Sequence, residues 1–299
     1  MHMEPFMIQA IRKHNSFRRS GSSEKGMTII ELIVSMTIGG ILLTAAWSFF
    51  VTQTSNFEQN RQTAEMQQEL RWAMQYVSDH LRLAGNAVPP TSGWQVIEIK
   101  DGAGGASDSL TVMGSFKSVV ALTTENMASP ASNVKPDSLQ KFEQGNLVVL
   151  SDGTFLDLFL VTQIQGGRLC HTTSLPWNND ANLDHQYNTG STLTVIDQFN
   201  FSIKTDAQGH PNLMVKTQAY PEQILGGDID RFQIRFNMKS GSWQTTIAAS
   251  EVYDIRQIEI TMRARSPQQL KNYRDPVYHD RYKRLEFKSI VIPRNIVIV

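Results

Sequence analysis

One uninterrupted apolar stretch constrains this chain more than any other feature: Met27 to Val51, reading MTIIELIVSMTIGGILLTAAWSFFV. Its 25 residues hold a single charge, Glu31. An α-helix crosses a bilayer with about 20 mostly apolar residues, so this stretch is long enough to span. The residues before it are polar, with Arg12, Lys13, Arg18, Arg19 and Lys25 against Glu4 and Glu24. Basic flanks stay on the cytoplasmic side, which predicts residues 1–26 inside and everything after Val51 exported. No second stretch qualifies, so the expectation is one span and one large exported part. A cleaved secretory signal has an apolar core of about 7–15 residues closed by small residues. Here the run is longer, and Leu43-Thr44-Ala45-Ala46 leads into bulky Trp47 and Phe49.

Composition bounds the remainder. The chain has 299 residues, 40% of them hydrophobic, which is enough for a sizeable core and excludes a disordered protein. Basic and acidic residues balance at 28 each, so no global charge bias points to nucleic acid. Cys170 is the single cysteine. That excludes an intramolecular disulfide and any multi-cysteine metal centre.

Glu31 is the informative residue. An ionised carboxylate inside a spanning helix costs on the order of a few kcal/mol and calls for a partner. It stands four residues after Met27, so snorkelling to the interface is one way out. The local sequence suggests another. Gly26 separates the polar Ser22-Ser23-Glu24-Lys25 from the apolar run, and a cut after Gly26 would create an amine at Met27. In parallel copies staggered by about one helical turn (~5.4 Å), the amine of one chain meets the carboxylate of the next. Two charges that are costly in a low dielectric then neutralise each other.

The stretch Lys25-Gly26-Met27-Thr28-Ile29-Ile30-Glu31-Leu32 resembles the processing site of type IV prepilins: a basic leader ending in Gly, a hydrophobic first mature residue, and Glu as the fifth. The resemblance implies that a prepilin peptidase cuts after Gly26 and N-methylates Met27, and that Glu31 is the assembly carboxylate. It implies other pilins as partners through the N-terminal helix. It also implies the inner membrane as the site of the precursor, and the pilus or cell surface as that of the assembled protein. The departures are Met27, where Phe is commonest in that family, and a long leader in which Met3 or Met7 offers a later start.

Downstream, Met66, Leu70, Ala73, Val77, Leu81 and Ala84 recur at helical spacing, with Glu65, Glu69 and Arg71 on the other side. No Pro interrupts Met27–Ala84, and Gly85 with Pro89-Pro90 ends the element. A helix of those 58 residues would be ~87 Å long. A stalk coiled coil is the alternative for residues 52–84; the Gly stop directly before a β-rich region favours packing on a head. Ser35/Gly39 and Gly40/Thr44 are small residues four apart that would let helices approach closely. The resemblance adds that the helix can loosen near this depth, at Gly40.

From Thr91 the apolar period shifts toward two. Strands are expected at Val96–Ile99, Leu110–Met113, Val119–Leu122, Leu147–Leu150, Phe155–Ile164, Leu193–Ile196, Phe199–Ile203, Leu213–Lys216, Ile229–Met238, Val252–Met262 and Leu285–Val299. Stretches 176–190 and 267–276 read as loops. The expected fold class is α+β: a long N-terminal α-helix, transmembrane in its first half and amphipathic in its second, packed on a mainly antiparallel β-sheet head, type IV pilin-like. The expected divisions are a cytoplasmic leader at 1–26, a transmembrane or filament-core helix at 27–51, its amphipathic continuation at 52–86 and an exported head at 91–299. Within the head, Gly145–Asp152, Asp157–Thr162, Ile229–Phe236 with Trp243, Ile255–Ile260 and Ser289–Asn295 are similar to the large minor pilins called PilW-like.

Motifs for chemistry are sparse. There is no H-E-x-x-H, P-loop or G-x-S-x-G pattern, and the seven His residues are scattered without ligand spacing. Asp180, Asn182 and Asp184 offer alternate oxygens like the start of a calcium loop. The sixth position is His185 instead of Gly and the twelfth is Ser191 instead of Glu, which favours a plain Asx-rich turn over a metal site. Residues 263–294 carry nine basic side chains interleaved with Tyr273, Tyr278, Tyr282 and Phe287. Such a patch can hold nucleic acid by phosphate contact and stacking; a charged outer face of terminal strands that pairs with neighbouring subunits is the favoured reading. Cys170 beside Leu169 reads as a buried small hydrophobe.

The reading is therefore a structural minor pilin, without a cofactor and not itself an enzyme, acting in assembly initiation or at the filament tip. A type II secretion pseudopilin of the J type shares the whole N-terminal argument. A signal-anchored exported enzyme or receptor would instead show no cut after Gly26 and a convergent polar pocket in the head.

Overall fold

The computed structural model describes residues 26–88, 90, 94–117, 119–171, 182–218, 220–271 and 273–296. The leader before Gly26, Asp180, the first part of the 176–190 loop and the last three residues lie outside the described residues. The chain divides into two compact units, Met1–Asn56 and Phe57–Val299.

Helix α1 covers Ile29–Leu83 as one element, including Gly39 and Gly40. No loosening is present at Gly40, because the i−4 bonding pattern continues through it and Thr44 Oγ1 adds a bond to the Gly40 carbonyl at 2.7 Å. In the first unit the apolar side chains are uncovered: Ile29, Met36 and Leu43 are each at least 70% exposed. An 18-residue window there has a mean hydropathy of 2.1 and none of it is buried by the described residues.

In the second unit, the expected stripe Met66, Leu70, Ala73, Val77, Leu81 and Ala84 is buried, with Met74 added, while Glu65, Glu69 and Arg71 stay exposed. Each fully buried Leu or Val contributes roughly 1.5–3 kcal/mol. Among the described residues this unit has fourteen strands: β1 (Ile97–Lys100), β2 (Ser109–Gly114), β3 (Val120–Leu122), β4 (Leu147–Ser151), β5 (Leu156–Leu160), β6 (Gln163–Gln165), β7 (Arg168–Cys170), β8 (Thr192–Thr205), β9 (Pro211–Thr217), β10 (Gln223–Gly226), β11 (Ile229–Met238), β12 (Trp243–Gln244), β13 (Ile255–Arg265) and β14 (Arg284–Val291). Every pairing between these strands is antiparallel.

Strand β8 organises the larger sheet. Its first half pairs with β3 and β4, its second half with β2 and β9. The sequence suggested two strands here; the intervening Asp197-Gln198 continues the ladder, opposite Gly114 and Met113. The run expected as one strand over Phe155–Ile164 is instead β5 and β6, since the chain leaves the sheet at Val161-Thr162 to pair with β7. The second sheet has the order β12-β11-β13-β14. Phe232, Ile234, Phe236, Ile258, Ile260 and Met262 point from it into a core shared with α1 and with Leu110, Val112 and Phe201 of the larger sheet. Strands β4 and β5 are buried on both faces. Leu147, Val149, Leu158 and Leu160 join the core under α1, whereas Val148, Leu150 and Phe159 join a second cluster with Phe142, Tyr187, Leu193 and Val195. Burial on both faces explains why these strands read as continuous apolar runs instead of alternating.

The end of α1 is fixed by specific bonds. Gly85 takes φ +77°, the left-handed value that favours glycine at a helix stop, and its N–H donates to the Met113 carbonyl at 2.9 Å. The Leu83 carbonyl accepts from the Asn86 N–H (3.0 Å) and from Asn295 Nδ2 (3.3 Å), and the Arg82 carbonyl accepts from the Arg294 N–H (3.0 Å). Orphan helix carbonyls are thereby satisfied. A Cβ on Gly114 would stand 2.9 Å from the Leu83 carbonyl oxygen. One turn earlier, His80 sits against Phe199 (4.2 Å between ring centroids) and Phe116 (4.8 Å), and its Nδ1–H donates to the Tyr76 carbonyl at 2.7 Å. Burial holds the imidazole pKa below its ordinary value.

Two outcomes follow for the full chain in detergent. Gly114→Ala forces backbone atoms apart and costs about 1–3 kcal/mol, read as a Tm lower by several degrees; an unchanged Tm contradicts this docking. The unfolded chain protonates His80 at a higher pH than the fold does, so stability is present above the unfolded pKa and is lost as pH falls through the folded one. In thermal melts from pH 8 to pH 5.5, His80→Gln therefore loses less Tm than the parent; parallel losses contradict it.

Candidate processing and assembly site

Gly26, Met27 and Thr28 precede α1 in irregular, exposed backbone. The Gly26–Met27 peptide is therefore outside the helical ladder and sterically open, and a Cβ added to Gly26 would meet nothing within 4 Å. Thr28 starts the helix. Its carbonyl accepts the Leu32 N–H at 3.1 Å and its Oγ1 accepts the Glu31 N–H at 3.3 Å. Thr28 is thus the N-cap and Glu31 the third helical residue, where the positive end of the helix dipole favours a carboxylate. The sequence carried this signal as the capping pattern Thr28-x-x-Glu31, which the family likeness of the same residues obscured.

Glu31 is exposed, and among the described residues no hydrogen bond or ion pair engages its carboxylate. Below it, Ser35 Oγ donates to the Glu31 carbonyl (2.7 Å), Thr37 Oγ1 to Ile33 (2.8 Å) and Thr52 Oγ1 to Ser48 (2.9 Å). These hydroxyls are neutralised within the helix, as an apolar environment requires. Glu31 is then the one strongly polar group on the apolar segment still without a partner. A free amine at Met27 would stand at the positive end of the helix, so it too would seek a carboxylate.

The other candidates fall elsewhere. Asn182 and Asp184 are exposed, Asp180 lies outside the described residues, and among the described residues no three His, Cys, Asp or Glu side chains gather as a metal site. Cys170 is buried in β7. A contact with no signal in the sequence joins positions 28 apart: the buried Asp157 carboxylate accepts the His185 backbone N–H at 3.0 Å and faces its Nδ1 at 3.3 Å. His185 also stacks on Phe155 at 4.1 Å, so the group fixes the end of the 176–190 loop to β5.

The basic segment 263–294 is largely committed internally. Arg263 Nε donates to Asp230 at 2.8 Å, and Arg284, only 11% exposed, pairs with Asp230, Asp275 and Asp280. Both guanidinium groups lie against Tyr278, at 4.6 and 4.1 Å from its ring centre, and Arg265 lies against Tyr282 at 4.5 Å. The Arg284 hydrogen bond pulls the Asp280 pKa down to about 2. These arginines and tyrosines pin the loop after β13 to the sheet, which leaves Lys271, Arg274, Arg281, Lys288 and Arg294 as the exposed cations.

Residues 21–47 match the family model described as the prokaryotic N-terminal methylation motif. Among curated proteins none matches. Five chains of solved structure do, including a type IV-like pilin from Thermus thermophilus at 9% identity and a TM-score of 0.38, covering 77% of this chain and 98% of that one. At that distance the architecture of the head rests on its own strands and packing. The matched segment places Gly26, Met27 and Glu31 together at the head of one apolar helix, and this part of the chain is similar to the prokaryotic N-terminal methylation motif.

Proposed function

We propose that the chain is a structural minor pilin. In this reading it is made as an inner-membrane precursor with residues 1–26 cytoplasmic and the head exported, cut after Gly26, N-methylated on Met27 and assembled through α1 with other pilins. Glu31 takes the methylated amine of a neighbouring chain. The observation that carries the reading is the methylation motif at residues 21–47 lying on an apolar helical segment that the described residues leave unburied. Such a surface needs a bilayer first and other helices later. In this role the protein is the substrate of an enzyme and not itself one. A place at the filament tip or in assembly initiation is supported by the likeness of the head segments to the PilW-like group.

Intact mass and N-terminal sequencing of the chain, expressed with and without an active prepilin peptidase, test this. The expected product begins at N-methylated Met27 only when the peptidase is present. Gly26→Leu, which has open space around it in the fold, is expected to keep residues 1–26 while melting like the parent. A chain that retains its leader despite the peptidase, or that is cut elsewhere without it, contradicts the proposal.

A further inference from the structure

Beside α1, where β8 and β9 meet the segment leading into β10, lies a cavity of about 340 Å³. Tyr76 of α1, Phe199 of β8, Val215 of β9 and Tyr220 give it mainly apolar walls. Two charged side chains reach it, Asp197 of β8 and Lys117.

Asp197 is the anomaly. Its side chain is 9% exposed, and Oδ2 is buried with no hydrogen-bond partner among the described residues. Its charged neighbour is Lys117, whose Nζ lies 3.6 Å from Oδ1, beyond hydrogen-bond range. Lys117 is a loose partner, with its side chain 49% exposed and its ammonium 5.8 Å from the Tyr220 ring centre. Buried carboxylate oxygens normally have donors, because an unmade bond in a low dielectric is expensive. Three other carboxylates in this head follow that rule: Asp157, Asp230 and Asp108 are each bonded to backbone or arginine donors. Asp197 is held ready on a long central strand without one.

We propose that this cavity is a binding site for a primary ammonium carried on an apolar stem, with Asp197 as its acceptor. An anion would face the carboxylate, and a neutral apolar group would leave it unpaired. A cation is favoured three ways: by the carboxylate, by the Tyr220 ring that already has the Lys117 ammonium over it, and by walls that take the stem. Lys117 occupies the position of the ligand weakly and must swing out, which its exposed stem permits. Two sources carry this chemistry, a free aromatic amine and a lysine side chain of a partner protein. The site is independent of the processing and assembly reading.

Calorimetric titration of the full chain in detergent, at neutral pH, tests the proposal. The probes are tyramine, its neutral analogue tyrosol, and N-acetyl-lysine methylamide. Titration of each phenol into protein-free detergent subtracts its micelle partitioning, so the remaining difference isolates the ammonium. Tyramine is expected to bind saturably and about tenfold more tightly than tyrosol, as for a charge-assisted bond replacing a neutral one. Asp197→Asn abolishes that preference, Tyr220→Ala weakens binding of both phenols, and Lys117→Met strengthens tyramine several-fold. Equal binding of the lysine derivative assigns the site to a partner's side chain; binding of tyramine alone assigns it to a small aromatic amine. The proposal is overturned if tyramine shows no saturable binding, if tyrosol binds as well, or if the preference survives in Asp197→Asn. Should Asp197→Asn fail to fold, Lys117→Met decides: unchanged or weaker tyramine binding overturns the site.

Discussion

Helix α1 must satisfy two environments with one hydrogen-bond ladder, and the rest of the molecule depends on that constraint. Its first part is apolar on every side and is left unburied by the described residues, a surface that suits cover from outside. The backbone is satisfied internally, and Ser35, Thr37, Thr44 and Thr52 return their hydroxyls to carbonyls one turn back. Its later part has a single apolar stripe, and that stripe is the centre of the core on which both sheets meet. The change from one regime to the other follows directly from the spacing of apolar residues and needs no break in the helix.

Glu31 gains its meaning from this setting. At the third helical position its carboxylate is stabilised locally by the dipole, yet no side chain among those described engages it. A single unpaired charge on an otherwise apolar segment is costly in a bilayer and specific in an assembly. In the proposed assembly it would set the axial stagger at which a neighbour's amine approaches, which apolar contact alone does not. The opposite end of α1 is set by shape. Gly85 turns the chain, Gly114 lets the last carbonyl lie close to β2, and Arg294 with Asn295 closes the remaining acceptors.

The legible parts were those governed by short-range pattern. The stripe Met66 to Ala84, the Gly stop and the alternation of β11 and β13 all come from spacings of a few residues, and burial follows them position by position. Where a polar pair lies inside a ladder, as at Asp197-Gln198, the residues read as a gap although β8 continues, because partner strands supply the bonds. Strand β10, Gln223–Gly226, is short, and β9 gives it its only partner strand. The basic patch shows the same limit. Arg263 and Arg284 find Asp230 at separations of 33 and 54 residues, so a segment that looks like a free cationic surface is in part an internal lattice. The methylation motif was legible because its pattern is linear, with Gly26, Met27 and Glu31 within six residues of one another.

The most direct measurement is the incorporation of a charge-neutral Glu31 variant into filaments. Glu31→Gln keeps the size and the N-terminal helical turn but removes the charge that an amine would meet. With the peptidase active, the account predicts that the variant is cut and methylated like the parent, accumulates in the membrane, and is lost from sheared filaments. Glu31→Gln chains recovered in filaments at the parent's level, after normal processing, would contradict it.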